Sequence, residues 1–127
     1  MKILIVEDEA DVAEIVQETL EALGGHCVRA ADAAEADRAL VSEHLDAVTL
    51  DLGLGDHDGL AWLERLAYIR PELANRTLVI TGRPLGADSV TRLARCGAGL
   101  LAKPFTVEGL TDAVRAQIEH ALRFSGN

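Results

Sequence analysis

The sequence predicts an α/β fold: a doubly wound five-stranded parallel sheet, covered by helices on both faces in a three-layer sandwich. Two observations predict it. Short aliphatic runs alternate five times with segments of helical periodicity, and the connections between them are short. Such alternation calls for parallel strands joined by right-handed crossovers. The central run, Ala47-Val48-Thr49-Leu50-Asp51-Leu52-Gly53, carries apolar and β-favouring residues straight into an aspartate and a glycine-rich turn. A run of that composition bounded by glycine reads as a buried parallel strand. Asp51 then stands at the carboxyl end of a strand, the edge of an open α/β sheet where ligands are bound.

Each element has its own signal. Ile3 to Val6 is an aliphatic first strand ending in Glu7-Asp8-Glu9. From Glu9 to Leu23, the residues Val12, Ile15, Val16, Leu20 and Leu23 recur at helical spacing, and Gly24-Gly25 caps the end. His26 to Ala30 is a short second strand. Asp32-Ala33-Ala34-Glu35 has the form of a capping box and opens a second helix to about Glu43. Asp46 to Asp51 is the third strand, and Leu52 to Asp58 a loop. Gly59 to Ile69 is a third helix, with Leu60, Leu63, Leu66 and Ala67 on one face, Trp62 and Tyr68 partly packed, and Pro71 closing it. Thr77 to Thr81 is strand four; Asp88 or Ser89 caps a short helix reaching Cys96. Ala98 to Ala102 is strand five, and Thr106 caps a last helix built on Leu110, Val114, Ile118 and Leu122. One domain is expected over residues 1–123, with 124–127 a frayed end.

Composition narrows the function. The chain of 127 residues suits one domain with one core, and 49% apolar residues with only 3% aromatics make that core aliphatic. A formal net charge of −9 disfavours direct contact with nucleic acid and favours partners or ions of opposite sign. Cys27 and Cys96 lie far apart, in no ligand spacing, and read as reduced buried thiols. No apolar run approaches the ~20 residues of a membrane span. The expected setting is the cytoplasm, away from any membrane.

The chemistry concentrates where strands end. Glu7 and Asp8 follow strand one, Asp51 ends strand three, Thr81 ends strand four and Lys103 follows strand five. In a parallel sheet these positions share one edge. Each has a blander reading: acids at a helix start, a turn cap, a β-favouring threonine, a surface lysine. Together they make a pattern with one physical logic. Crowded carboxylates repel in a partly buried site, and a hard divalent cation relieves them; Mg²⁺ with oxygen ligands is the natural choice. Lys103 adds a compact positive charge and Thr81 a hydroxyl, so an anion beside Asp51 is stabilised. Phosphoryl transfer to a carboxylate nucleophile needs that arrangement.

The run Ile3-Leu4-Ile5-Val6-Glu7-Asp8-Glu9, then Asp51 ahead of Asp58-Gly59, then Thr81, then Lys103-Pro104-Phe105, resembles the receiver domain of bacterial two-component response regulators. The resemblance runs from Met1 to about Leu122. It implies a flavodoxin-like (βα)5 fold that is not a classical enzyme. Asp51 would be the phosphoacceptor, served by a histidine kinase or a histidine phosphotransfer protein. Glu7, Asp8, Asp51 and the backbone carbonyl of Gly53 would hold Mg²⁺. Thr81 and Lys103 would bind phosphoryl oxygens, and the peptide before Pro104 would be cis. A downstream protein or a fused output domain would read the result.

Four departures from the family pattern bear on the switch. Leu100 stands three before Lys103, where an aromatic ring is usual. Gly53, two after Asp51, offers no side chain to guide water, and Arg83, two after Thr81, is a long cation that could reach the phosphoryl group. Gly55 stands where proline is frequent and should loosen the loop. Two acids usual at the entry to strand five in a dimerising, DNA-binding subfamily are replaced by Ala98 and Gly99, which weakens the case for a homodimer of that kind. The alternatives to a phosphoacceptor are a phosphate-independent interaction module of receiver shape, favoured by Leu100, and a small phosphatase with an aspartyl-phosphate intermediate, disfavoured by Gly53.

Overall fold

The computed structural model describes residues 1–54 and 57–119. Gly55, Leu122 and the expected frayed end at 124–127 lie outside the described residues. The five strands are β1 (Lys2–Val6), β2 (His26–Ala30), β3 (Ala47–Asp51), β4 (Thr77–Thr81) and β5 (Gly99–Ala102). They form one sheet in the order β2-β1-β3-β4-β5, every neighbouring pair parallel. The helices are α1 (Ala10–Ala22), α2 (Ala33–Ser42), α3 (Gly59–Ile69), α4 (Ala87–Arg95) and α5 (Val107–Val114), the last running on into a π-helical turn, Arg115–Glu119.

Strand alternation divides the core into two layers. Leu4, Val6, Val48, Leu50 and Val79 face α2, α3 and α4, where Ala36, Leu63, Leu66 and Leu93 meet them. Ile3, Ile5, Leu78 and Ile80 face α1 and α5, where Val16, Leu20, Leu110, Val114 and Ile118 meet them. This is the two-residue period of a strand buried on both faces. The aliphatic side chains so removed from water supply the main driving force for folding.

Local signals explain most boundaries. Asp32 accepts a hydrogen bond from the Glu35 amide at 2.8 Å, and Glu35 reaches back to the Ala31 amide at 2.9 Å, one residue beyond a regular capping box. Thr106 accepts from the Gly109 amide at 2.9 Å at the start of α5. Gly24 takes φ +92°, a conformation glycine adopts at little cost, and ends α1.

Five expectations need correction. Pro71 does not simply close α3; it opens a further helical turn, Pro71–Ala74. Proline suits the first position of a helix as well as a break after one, because its missing N–H is not needed there. Neither Asp88 nor Ser89 caps α4, which starts from Gly86 without a side-chain cap. Ile15 is exposed on α1. Tyr68 is 89% exposed, whereas Trp62 is fully buried and its indole N–H donates to Asp37 Oδ1 at 2.8 Å. Cys96 is buried as expected, but Cys27 is only partly covered. The loop after β3 also contains a small antiparallel ladder, Gly53–Leu54 with His57–Asp58.

Candidate functional site

Parallel pairing brings the carboxyl ends of β1, β3, β4 and β5 to one edge. Val6 pairs with Leu50, Asp51 with Ile80, and Thr81 with Ala102, so the residues that follow or end these strands converge. Glu7 is 7% exposed and Asp51 and Thr81 are each 6% exposed, at the top of largely aliphatic strands. Asp8 is exposed beside them.

Lys103 is the hub. Its Nζ lies 3.2 Å from Glu7 Oε1, 3.4 Å from Asp51 Oδ2 and 3.6 Å from Glu9 Oε1. The Lys103–Pro104 peptide is cis. Asp51 Oδ1 accepts a hydrogen bond from the Gly53 amide at 3.0 Å, which orients the carboxylate from the turn that follows it. Gly59 lets that turn approach α3: a Cβ there would stand 2.8 Å from Leu52 Cα and 3.1 Å from the Asp51 carbonyl oxygen. Asp58 caps α3 by accepting from the Leu60 and Ala61 amides, so the loop carrying Asp51 is anchored at its far end.

One ammonium does not neutralise this many acids. Burial pushes the Glu7 carboxyl up to about 7; a hydrogen bond with Asp51 and repulsion by its charge add to the effect, while the Glu9 amide and Lys103 pull the other way. Burial would lower Lys103, but the attraction of Glu7, Asp51 and Glu9 outweighs it and raises the amine above its ordinary value. Carboxylate oxygens of Glu7, Asp8, Glu9 and Asp51 all lie within 4.8 Å of one another. An all-oxygen donor set this compact, in which one member is driven towards its neutral form, suits a hard divalent cation.

An open cleft of about 350 Å³ lies over the cluster, lined by Glu9, Asp51, Leu52, Gly53, Thr81, Gly82, Arg83, Leu85 and Lys103. The Thr81 hydroxyl is turned to its own loop: Oγ1 accepts from the Arg83 amide at 3.3 Å and donates to the Arg83 carbonyl at 3.4 Å. Arg83 is exposed at the rim. Leu100, 46% exposed on β5, pairs with Val79 and does not line the cleft.

The structure therefore brings together Glu7, Asp8, Asp51, Gly53, Thr81, Arg83 and Lys103, and leaves Leu100 apart. Sequence reasoning missed Glu9. An acid beside a helix start reads as a partner of the helix dipole, and only the third carboxylate–Lys103 contact reveals its second role.

Comparisons with known proteins bear on the family and the fold. The family described as the response regulator receiver domain matches residues 3–115. The transcriptional regulatory protein PmrA of Pectobacterium parmentieri is 40% identical over 118 residues, 93% of this chain and 52% of that protein. BasR of Escherichia coli is 34% identical over 91% of this chain and 51% of its own length. The chain thus spans about half the length of these curated relatives. Among solved structures, a CheY-like receiver domain protein from Methanospirillum hungatei superposes with a TM-score of 0.86 over 98% of both chains at 22% identity, a likeness of fold.

Proposed function

This chain belongs to the response regulator receiver domain family, and from that premise we propose that it is a phosphoacceptor switch in which Asp51 takes a phosphoryl group from a phosphohistidine. The observation that carries the proposal is the cluster itself: Asp51 buried at a sheet edge, with the single ammonium of Lys103 lying 3.2–3.6 Å from carboxylate oxygens of Glu7, Asp51 and Glu9. A structural ion pair needs no surplus of buried acid. A site that receives a doubly negative group on a carboxylate needs a cation there.

In this reading Glu7, Asp8, Asp51 and the Gly53 carbonyl would hold Mg²⁺, which when bound neutralises the crowded carboxylates and the incoming phosphoryl oxygens. The chain's own groups do the rest. The Gly53 amide fixes the Asp51 carboxylate towards the cleft. An Asp51 oxygen forms the new bond to phosphorus as the bond from phosphorus to the donor's imidazole nitrogen breaks, and the electron pair leaves with the imidazole. The product is a mixed anhydride. Lys103, released from part of its load on Asp51, pairs with a phosphoryl oxygen, and the Thr81 hydroxyl donates to another. Arg83 at the rim and the bare Gly53 bound the path of a hydrolytic water, so they would set the lifetime of the anhydride.

The donor would be a histidine kinase or a histidine phosphotransfer protein. The reader would be a downstream protein or an output domain, in keeping with relatives about twice this length. A net charge of −9 argues against direct nucleic-acid contact by this domain. Among the described residues no helix is long and apolar enough to cross a membrane, which fits a cytoplasmic setting.

One observation favours a second reading. Leu100 is half-exposed where the family usually carries an aromatic switch residue, as a phosphate-independent interaction module would tolerate. Labelling separates the two. Beryllofluoride or a small-molecule phosphodonor should occupy Asp51 only when Mg²⁺ is present, and Asp51→Asn should reduce labelling by more than about 100-fold. Labelling that survives the substitution refutes the phosphoacceptor. Equal partner affinity with and without beryllofluoride favours the module.

A further inference from the structure

A hydroxyl carries a single proton. Thr81 spends its own on the Arg83 carbonyl, so it cannot also donate to a phosphoryl oxygen. Binding a phosphoryl group through Thr81 therefore breaks a tie that holds the segment from Gly82 to Gly86, and that segment leads directly into α4.

The helix α4 is lightly held at that end. It has no side-chain cap, and Leu93 is the one residue of the helix that is buried. Its other strong attachment is polar. Arg92 donates from Nε to Glu64 Oε2 at 3.0 Å and from Nη2 to Glu64 Oε1 at 2.5 Å, a two-pronged clamp onto α3. Asp58, the cap of α3, and Asp88 on α4 add their attraction to the same guanidinium. A fork of this kind is directional, unlike a loose surface pair, and tolerates little sliding between the two helices. The clamp thus ties α4 to the helix that anchors the Asp51 loop.

We propose that the Arg92–Glu64 clamp is the restraint that holds α4 in its resting position, and that binding of a phosphoryl group at Asp51 works against it. Arg92 and Glu64 are positioning residues acting through α4 and the Thr81 loop; neither reaches the cleft. The proposal rests on the phosphoacceptor reading, and it gives Leu100 a context: with no aromatic ring at that position, the balance between the two states is set by the ion pair between α3 and α4. Linkage makes this measurable, because whatever opposes the bound state weakens ligand affinity by the same factor.

The test is calorimetric titration of beryllofluoride in MgCl₂ into the wild-type protein, Glu64→Gln, Arg92→Gln and the double variant, each also melted without ligand. The expected result is affinity raised about fivefold in either single variant and no further gain in the double. A merely structural bridge would lower the melting temperature and leave affinity unchanged, and that outcome overturns the proposal. Weaker beryllofluoride binding in both singles overturns it too, since the clamp would then support the bound state. Failure of the wild-type protein to bind beryllofluoride at all refutes the phosphoacceptor reading instead.

Discussion

The two edges of the sheet use the same side chains to opposite ends. At the amino edge, Lys2 meets two acids: its amide donates to Asp46 Oδ2 at 2.8 Å and its Nζ lies 3.3 Å from Glu43 Oε2. At the carboxyl edge, Lys103 meets three. The first lysine and its partners stand 30–39% exposed, so water shares the charge. At the second, Glu7 and Asp51 are 4% and 7% exposed along their side chains, and water reaches them only through the cleft above. The difference is burial together with a surplus of acid. An ion cluster open to solvent holds a fold together weakly; one largely buried and left short of cations is an unmet demand for positive charge.

Removing the hub lysine should break this contrast most sharply. Lys103→Ala leaves Glu7 and Asp51 facing one another, and should reduce phosphodonor labelling about 10- to 100-fold while lowering stability by about 1–3 kcal/mol, read by urea unfolding. Next in size is the packing beneath the acceptor. Gly59→Ala forces a methyl against Leu52 and the Asp51 carbonyl, and should cost about 1–3 kcal/mol and slow labelling, because it displaces the turn that aims Asp51.

Acidity sharpens the comparison further. Glu7 sits near 7 in the folded protein against 4.5 when free, so the folded state holds this proton more tightly. Its contribution to stability is complete below pH 4.5 and is lost as the pH rises through about 7. In EDTA the melting temperature should fall between pH 5 and 8. Glu7→Gln should flatten that slope, and MgCl₂ should restore stability at the upper end; a slope unchanged by Glu7→Gln would show that another group sets it. The smallest effect belongs to the amino edge. Asp46→Ala should cost about 1 kcal/mol through the lost Lys2 amide bond, with labelling unchanged.

Much of this was legible in the residues. β4 and α3 fall at the boundaries that periodicity assigns, because an aliphatic run between polar ends and an amphipathic stretch after a capping aspartate each admit one reading. The converging edge followed from parallel topology. What stayed hidden depended on tertiary packing. Local pattern cannot tell a proline that stops a helix from one that starts the next, as at Pro71. Ile15 and Tyr68 lie on helices whose apolar stripes are already filled by neighbours, so their surplus apolar surface faces water. The Glu64–Arg92 clamp spans 28 residues and leaves no local trace.

The sealed indole of Trp62 has a practical corollary. It is the single tryptophan of the chain, it lies in the layer between the sheet and α3, and Asp37 fixes its N–H. Excited in the native protein it emits from an apolar cage at short wavelength, and on unfolding it emits from water at longer wavelength. The molecule therefore carries its own optical gauge of denaturation.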